Sequence, residues 1–145
     1  MNRGTAFRYL LVALLVVFAI GVIVYWVLYF SSGATHVVNE IWYTKFEDAF
    51  PVADAWASVL CLIAAYFLLR GNVRMAPFFL AASGASVLYL AFMDVTFDLE
   101  NNLYPLVATN GDMQTELIIN IFSVVLGVLA LAYGLTMLRR PHSGG

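Results

Sequence analysis

The chain has little charge and almost no cysteine. Only 11% of its 145 residues are charged, whereas about a quarter are charged in a typical soluble domain. The single cysteine, Cys61, excludes an internal disulfide and belongs to no CxxC or zinc-binding pattern. Because Cys61 lies in an apolar run, we expect a small buried side chain and not a reactive thiol.

Motifs for several common activities are also missing from the sequence. It has no glycine-rich nucleotide-binding motif, no Ser-His-Asp order, and no basic stripe that would bind nucleic acid. Only one histidine, His36, lies near an apolar run, which makes haem ligation unconvincing. We therefore expect neither a nucleic-acid partner nor a bound haem.

Long apolar runs fill the sequence instead, and 63% of the residues are hydrophobic. A bilayer core of about 30 Å requires roughly 20 apolar residues in a helix. Four runs meet that length, at 7–30, 51–69, 75–95 and 117–138. They predict an all-α integral membrane four-helix bundle that forms a single domain over residues 1–145. The first run is too long for the apolar part of a signal peptide, about 7–15 residues, so we expect it to be retained.

The charges are divided between the two ends of the predicted spans. Six of the seven basic residues lie at the termini or in the short turn 70–74, and all nine acids lie in or near the two long connections. The positive-inside rule then places both termini in the cytoplasm and the acidic loops outside it. The plasma (inner) membrane is the expected location, with Arg139 and Arg140 as anchors of the topology.

Small residues mark where the spans should approach closely. They occupy 81–86 in the third span and positions 127, 130 and 134 in the fourth. Such faces allow membrane helices to pack backbone to backbone. The turn 70–74 is so short that the second and third spans should be antiparallel neighbours.

Polar side chains follow one face at the acidic end of each span. Residues three or four apart share a helix face, and this spacing joins His36 with Glu40, Asp54 with Ser58 and Cys61, Asp94 with Asp98, and Glu116 with Asn120 and Ser123. A charge at the centre of a span costs about 2.5–3.5 kcal/mol. We therefore expect Asp54, Asp94 and Asn120 to face one another or a ligand, in a polar cavity roofed by the long connections.

Ordinary explanations are available for the remaining acids. Asp48 precedes Pro51 and is expected to cap the second span. Asp112 and Glu116 suit the start of the fourth span, where acids complement the helix dipole. Solvated loop charges are expected at Glu47, Glu100 and Asp112.

One segment after the first span resembles a known motif. Residues 33–43, GATHVVNEIWY, are similar to the G-x-x-H-x-x-x-E-x-W-aromatic segment of emopamil-binding-protein-type sterol isomerases, members of the EXPERA superfamily with the sigma-2 receptor. Residues 92–94, FMD, and 103–105, LYP, resemble the sigma-2 branch. The resemblance implies a four-helix membrane bundle with an acid-lined cavity, catalytic roles for His36 and Glu40, and Asn120 nearby. Cys61 and Ser123 stand where the isomerases have Glu and Trp.

The first functional hypothesis is a pocket for a hydrophobic or cationic amphiphilic small molecule, which would be lipid-like or sterol-like. Apolar walls would hold its body while a few polar groups orient it, and aromatic rings would favour a cation. The expected ligand contacts are Asp54, Asp94, Asp98, Asn120, Trp42 and Trp56. Isomerase-type acid–base chemistry by His36 and Glu40 is an extension of this hypothesis.

Two alternatives remain open. Carboxylate and amide oxygens suit a divalent cation, so a cation or proton site is the second hypothesis, and a divalent cation is then the one cofactor to consider. Its ligands would be Asp54, Asp94, Asp98, Glu116 and Asn120. The third hypothesis is a non-catalytic subunit of a membrane complex. Partners beyond membrane lipids and a small molecule would then include a second copy of the chain.

Overall fold

The computed structural model describes residues 3–33 and 35–139; the predicted anchor at position 140 lies outside them. The helices are α1 Arg3–Ser32, α2 Ile41–Glu47, α3 Pro51–Leu69, α4 Met75–Glu100, a 3-10 helix Tyr104–Ala108, and α5 Gly111–Leu138. No strand occurs in this part of the chain. The segments Gly4–Ser32, Ile41–Leu69, Met75–Glu100 and Gly111–Leu138 are long and apolar enough to cross a membrane. The predicted all-α protein with four membrane helices is confirmed.

The helix bounds differ from the predicted spans mainly at one end of the bundle. The predicted second span coincides with α3, whereas α4 continues to Glu100 and α5 already begins at Gly111. We name this end, which carries α2 and the 3-10 helix, the acidic end. The extensions arise because polar residues here remain helical beyond the apolar runs, so hydropathy alone underestimates the helix length.

The caps at the acidic end also differ from the expected ones. Asn110 caps α5, and its side chain accepts hydrogen bonds from the backbone N–H groups of Asp112 and Met113. Asp112 lies in the first turn, where an acid suits the dipole. The expected cap by Asp48 is wrong, because Asp48 ends α2 and its Oδ1 accepts a hydrogen bond from the Tyr29 hydroxyl at 3.2 Å.

The long helices pack in chain order. α1 packs against α3, α3 against α4, and α4 against α5, whereas α1 and α5 make few direct contacts. The predicted pairing of the second and third spans is confirmed. Small residues bring α4 and α5 together: a Cβ built on Gly84 would lie 2.7 Å from the carbonyl oxygen of Gly127. Cys61 is buried in the core, as expected.

The two long connections are tied together at the acidic end. Val37, Tyr43, Leu103 and Met113 form a small buried cluster there. The Asn110 side-chain amide also donates a hydrogen bond to the carbonyl oxygen of Val37 at 2.9 Å. These contacts join residues more than 70 positions apart and hold both connections over the helix ends.

Candidate functional site

A cavity of about 270 Å³ lies among the four long helices. Its apolar wall includes Val17 and Phe18 of α1, Leu90 of α4 and Phe122 of α5. Toward the acidic end it is lined by four carboxyl side chains, those of Glu47, Asp54, Asp94 and Glu116. None of the lining residues that the structure describes is Lys, Arg or His. The cavity is therefore apolar along most of its wall and acidic at one end.

Neutral aromatic side chains position three of these acids. The Tyr25 hydroxyl donates to Glu47 Oε2 at 2.9 Å, and Trp26 Nε1 donates to Asp54 Oδ2 at 2.9 Å. The Tyr43 hydroxyl donates to Glu116 Oε2 at 3.0 Å. A neutral donor satisfies one oxygen of a carboxylate without cancelling its charge. These three acids are therefore held in place by donors that bring no positive charge.

The position of Glu47 corrects a prediction from the sequence. We expected a solvated loop charge, but Glu47 is only 6% exposed and lines the cavity. It is the last residue of α2, a short helix that the hydropathy pattern did not predict. Tyr43 and Glu47 are four residues apart, and both are buried. Their helical spacing is the one sequence signal that could have revealed this helix.

Asp98 and Asn120 are buried but are not among the residues that line the cavity. Asp98 is 0% exposed, and neither of its oxygens has a hydrogen-bond partner of good geometry in the described structure; the same holds for Nδ2 of Asn120. The nearest polar groups to Asp98 are those of Glu116 and Tyr104. Burial, followed by the charge of Asp98, raises the pKa of Tyr104 to about 12, so its hydroxyl is neutral at physiological pH.

The other predicted site residues lie away from the cavity. His36 packs edge-on against Tyr29, with the ring centroids 4.4 Å apart, and Glu40 is exposed just before α2. Trp42 packs against Phe97 and is partly exposed. Like Asp98 and Asn120, four other residues named as ligand or catalytic candidates do not line the described cavity: His36, Glu40, Trp42 and Trp56. The structure thus brings together Asp54, Asp94, Glu116 and the unexpected Glu47.

The divalent-cation interpretation involves the same acids. Within residues 3–33 and 35–139, no three or more His, Cys, Asp or Glu side chains are grouped closely enough to hold a metal ion. The cation site that would use Asp54, Asp94, Asp98, Glu116 and Asn120 therefore stays a prediction. The geometry gives it no additional support.

Comparisons of the chain with models of protein families, with curated proteins and with solved structures find no match. The resemblance of residues 33–43 to EXPERA proteins therefore stays a prediction. The function has to be argued from the cavity and its lining.

Proposed function

We propose that the protein binds a small lipid-like molecule with a cationic amine, with the amine at the acidic end of the cavity. The observation that carries this proposal is the pairing of apolar walls with four carboxyl side chains and no basic side chain among the described lining residues. Ligand sites in proteins commonly combine apolar walls with a few convergent polar groups. Here four of those groups are carboxyls and none is basic, so the best complement is a cation.

The electrostatics distinguish among the possible ligands. Charge at membrane depth is costly unless it is paired, and an ammonium group would pair with Asp54 or Asp94. The rings of Tyr25 and Trp26 line the same end of the cavity and can add cation–π contacts. An anionic lipid would be repelled by these acids. A neutral sterol would leave their charge uncompensated.

The shape of the cavity supports an amphiphile. Its lining on α1 runs from Val17 to Trp26, about 14 Å along a helix that rises 1.5 Å per residue. The carboxyl groups lie at one end of this length, and the rest of the lining is apolar apart from Ser123. The volume of about 270 Å³ is slightly below the roughly 300–1,000 Å³ of typical small-molecule sites, so there is room for one small ligand.

The proposal is for binding and does not extend to isomerase chemistry. A general acid or base must lie within hydrogen-bond reach of the reacting atom, directly or through one water. His36 and Glu40 are not among the described residues that line the cavity. A ligand in this cavity would therefore contact other acids.

Binding can be tested with three matched probes: octylamine, octanol and octanoate. We expect octylamine to stabilise the purified protein in nanodiscs against heat, and octanoate to have no such effect. Asp54→Asn and Asp94→Asn should each weaken octylamine binding, measured by calorimetry, by about tenfold or more, because a hydrogen bond to a charged group contributes about 1.5–3 kcal/mol. The control is Glu100→Gln, which removes one exposed acid outside the cavity.

Two results would contradict the proposal. One is octylamine affinity in Asp94→Asn equal to that of the unaltered protein, and the other is equally tight binding of octanoate. Thermal stabilisation by Ca²⁺ that EDTA reverses, with no response to octylamine, would instead favour the cation interpretation.

A further inference from the structure

The four long helices around the cavity do not all pack closely against their neighbours. Three pairs of long helices pack along their lengths, but α1 and α5 make few direct contacts. Val17 on α1 and Ile118 on α5 line the cavity and yet are 56% and 67% exposed. Side chains that line a cavity and are also exposed mark its opening. The cavity therefore opens between α1 and α5, and we name this opening the α1–α5 seam.

The edges of the seam are apolar. Val17 lies near the middle of the membrane-spanning part of α1, Gly4–Ser32, and Ile118 and Ile119 line the cavity on α5, nearer the acidic end. The carboxyl groups lie toward the acidic end of the cavity. An opening with such edges at this depth faces hydrocarbon, so a ligand that passes through it comes from the lipid.

Gly21 occupies a special place on the α1 edge. It lies one turn from both Val17 and Tyr25, on the helix face that lines the cavity. A Cβ built on Gly21 would meet no described atom within 4 Å, whereas one on Gly84 or Gly127 would come within 2.7 Å of a neighbour. Those two glycines therefore allow close helix packing, and Gly21 instead leaves open space at the seam.

We propose that the α1–α5 seam is a lateral entrance from the bilayer, and that Gly21 determines which ligands pass. With no side chain at this position, the entrance admits one apolar chain attached to an amine. It excludes amines that carry two chains, since a cavity of about 270 Å³ holds a single small ligand. This inference rests on the proposed function, because it concerns the ligand of the same cavity.

The three tryptophans provide a direct test. Trp26 lines the cavity and is 9% exposed, whereas Trp42 and Trp56 are exposed and do not line the described cavity. Trp42→Phe and Trp56→Phe together leave Trp26 as the single tryptophan. The probe is dodecylamine brominated at mid-chain, because bromine quenches indole fluorescence at short range. We expect saturable quenching of Trp26 in nanodiscs. The control is the variant in which Trp56 is the only tryptophan. Because Trp56 is exposed and does not line the cavity, its quenching measures the partitioning of the probe into the bilayer and should not saturate.

Gly21→Phe places a ring in the seam and should reduce the apparent affinity of the brominated amine for the Trp26 site by at least tenfold. The matched control is Ile20→Phe, which adds the same ring at an exposed position of α1 that does not line the cavity. That variant should behave like its parent. Quenching in Gly21→Phe equal to that in the control would overturn the proposal of a lateral entrance at the seam. This result would leave the proposed function intact if Asp94→Asn still loses binding.

A second measurement needs no substitution at Gly21. A brominated didodecylamine should leave Trp26 unquenched at concentrations where the single-chain probe saturates. Equal saturable quenching by both probes would overturn the selectivity for a single chain. No saturable quenching by either probe, together with no response to octylamine, would overturn the proposed function itself.

Discussion

At the scale of single residues, the acids of the cavity are organised by aromatic donors. Asp54 and Asp94 could be identified in the sequence because a carboxyl group within an apolar run is costly. Their partners could not be identified. Trp26 is 28 residues from Asp54, and Tyr43 is 73 residues from Glu116. Such pairs form only when the helices pack, and hydropathy and helical spacing do not indicate which distant side chains then meet.

The bond between Tyr43 and Glu116 leads to a prediction about stability. Tyr43 is fully buried, and its hydroxyl donates to Glu116 Oε2. Tyr43→Phe removes one oxygen and leaves a buried carboxyl group without this donor, which should cost about 1–3 kcal/mol. The midpoint of thermal unfolding in detergent should fall accordingly. Tyr89→Phe is the control, because Tyr89 is exposed. Equal midpoints for the two variants would show that the bond contributes nothing.

At the scale of helices, the length of the apolar runs predicted the four long helices but not the short ones. The second predicted span coincides with α3, and the predicted small-residue faces do bring α4 and α5 together. The seven-residue α2 was missed, because an isolated helix of that length is unstable in water and depends on tertiary contacts. Phe46 supplies one such contact, as its ring stacks on Phe97 with the centroids 3.6 Å apart. The burial of Glu47 depends on this helix and was therefore missed with it.

Replacement by alanine should change the thermal stability differently at two glycines that lie on different helices. In Gly84→Ala the new Cβ would lie 2.7 Å from two backbone atoms of α5, and overpacking of this kind costs about 1–3 kcal/mol. In Gly21→Ala the Cβ would meet no described atom within 4 Å, and alanine favours a helix over glycine by about 1 kcal/mol. The thermal midpoint should therefore fall for Gly84→Ala and be unchanged or slightly raised for Gly21→Ala. Equal losses would contradict the assignment of Gly21 to open space.

At the scale of the whole molecule, the basic residues lie at one end of the bundle and the acid-lined part of the cavity lies toward the other. The four long helices cross the bundle in alternating directions, so the turn 70–74 lies opposite the acidic end. Among the described residues, the end of the bundle that carries this turn has the arginines at positions 8, 70, 74 and 139. The carboxyl groups of the cavity lie toward the acidic end. The positive-inside rule predicts that the end with the arginines is cytoplasmic. The cavity would then receive its ligand from the outer leaflet of the membrane.

This orientation can be tested with two single cysteines. Val73→Cys places a thiol in the turn 70–74, and Thr109→Cys places one in the connection before α5; both positions are exposed. The native Cys61 is fully buried, so the unaltered protein measures background labelling. In intact cells a membrane-impermeant maleimide should label Thr109→Cys at once and Val73→Cys only after permeabilisation. The reverse pattern would place the acid-lined end of the cavity toward the cytoplasm and its ligand in the inner leaflet. Labelling of both cysteines in intact cells would contradict the single membrane crossing by α4 that separates the two positions.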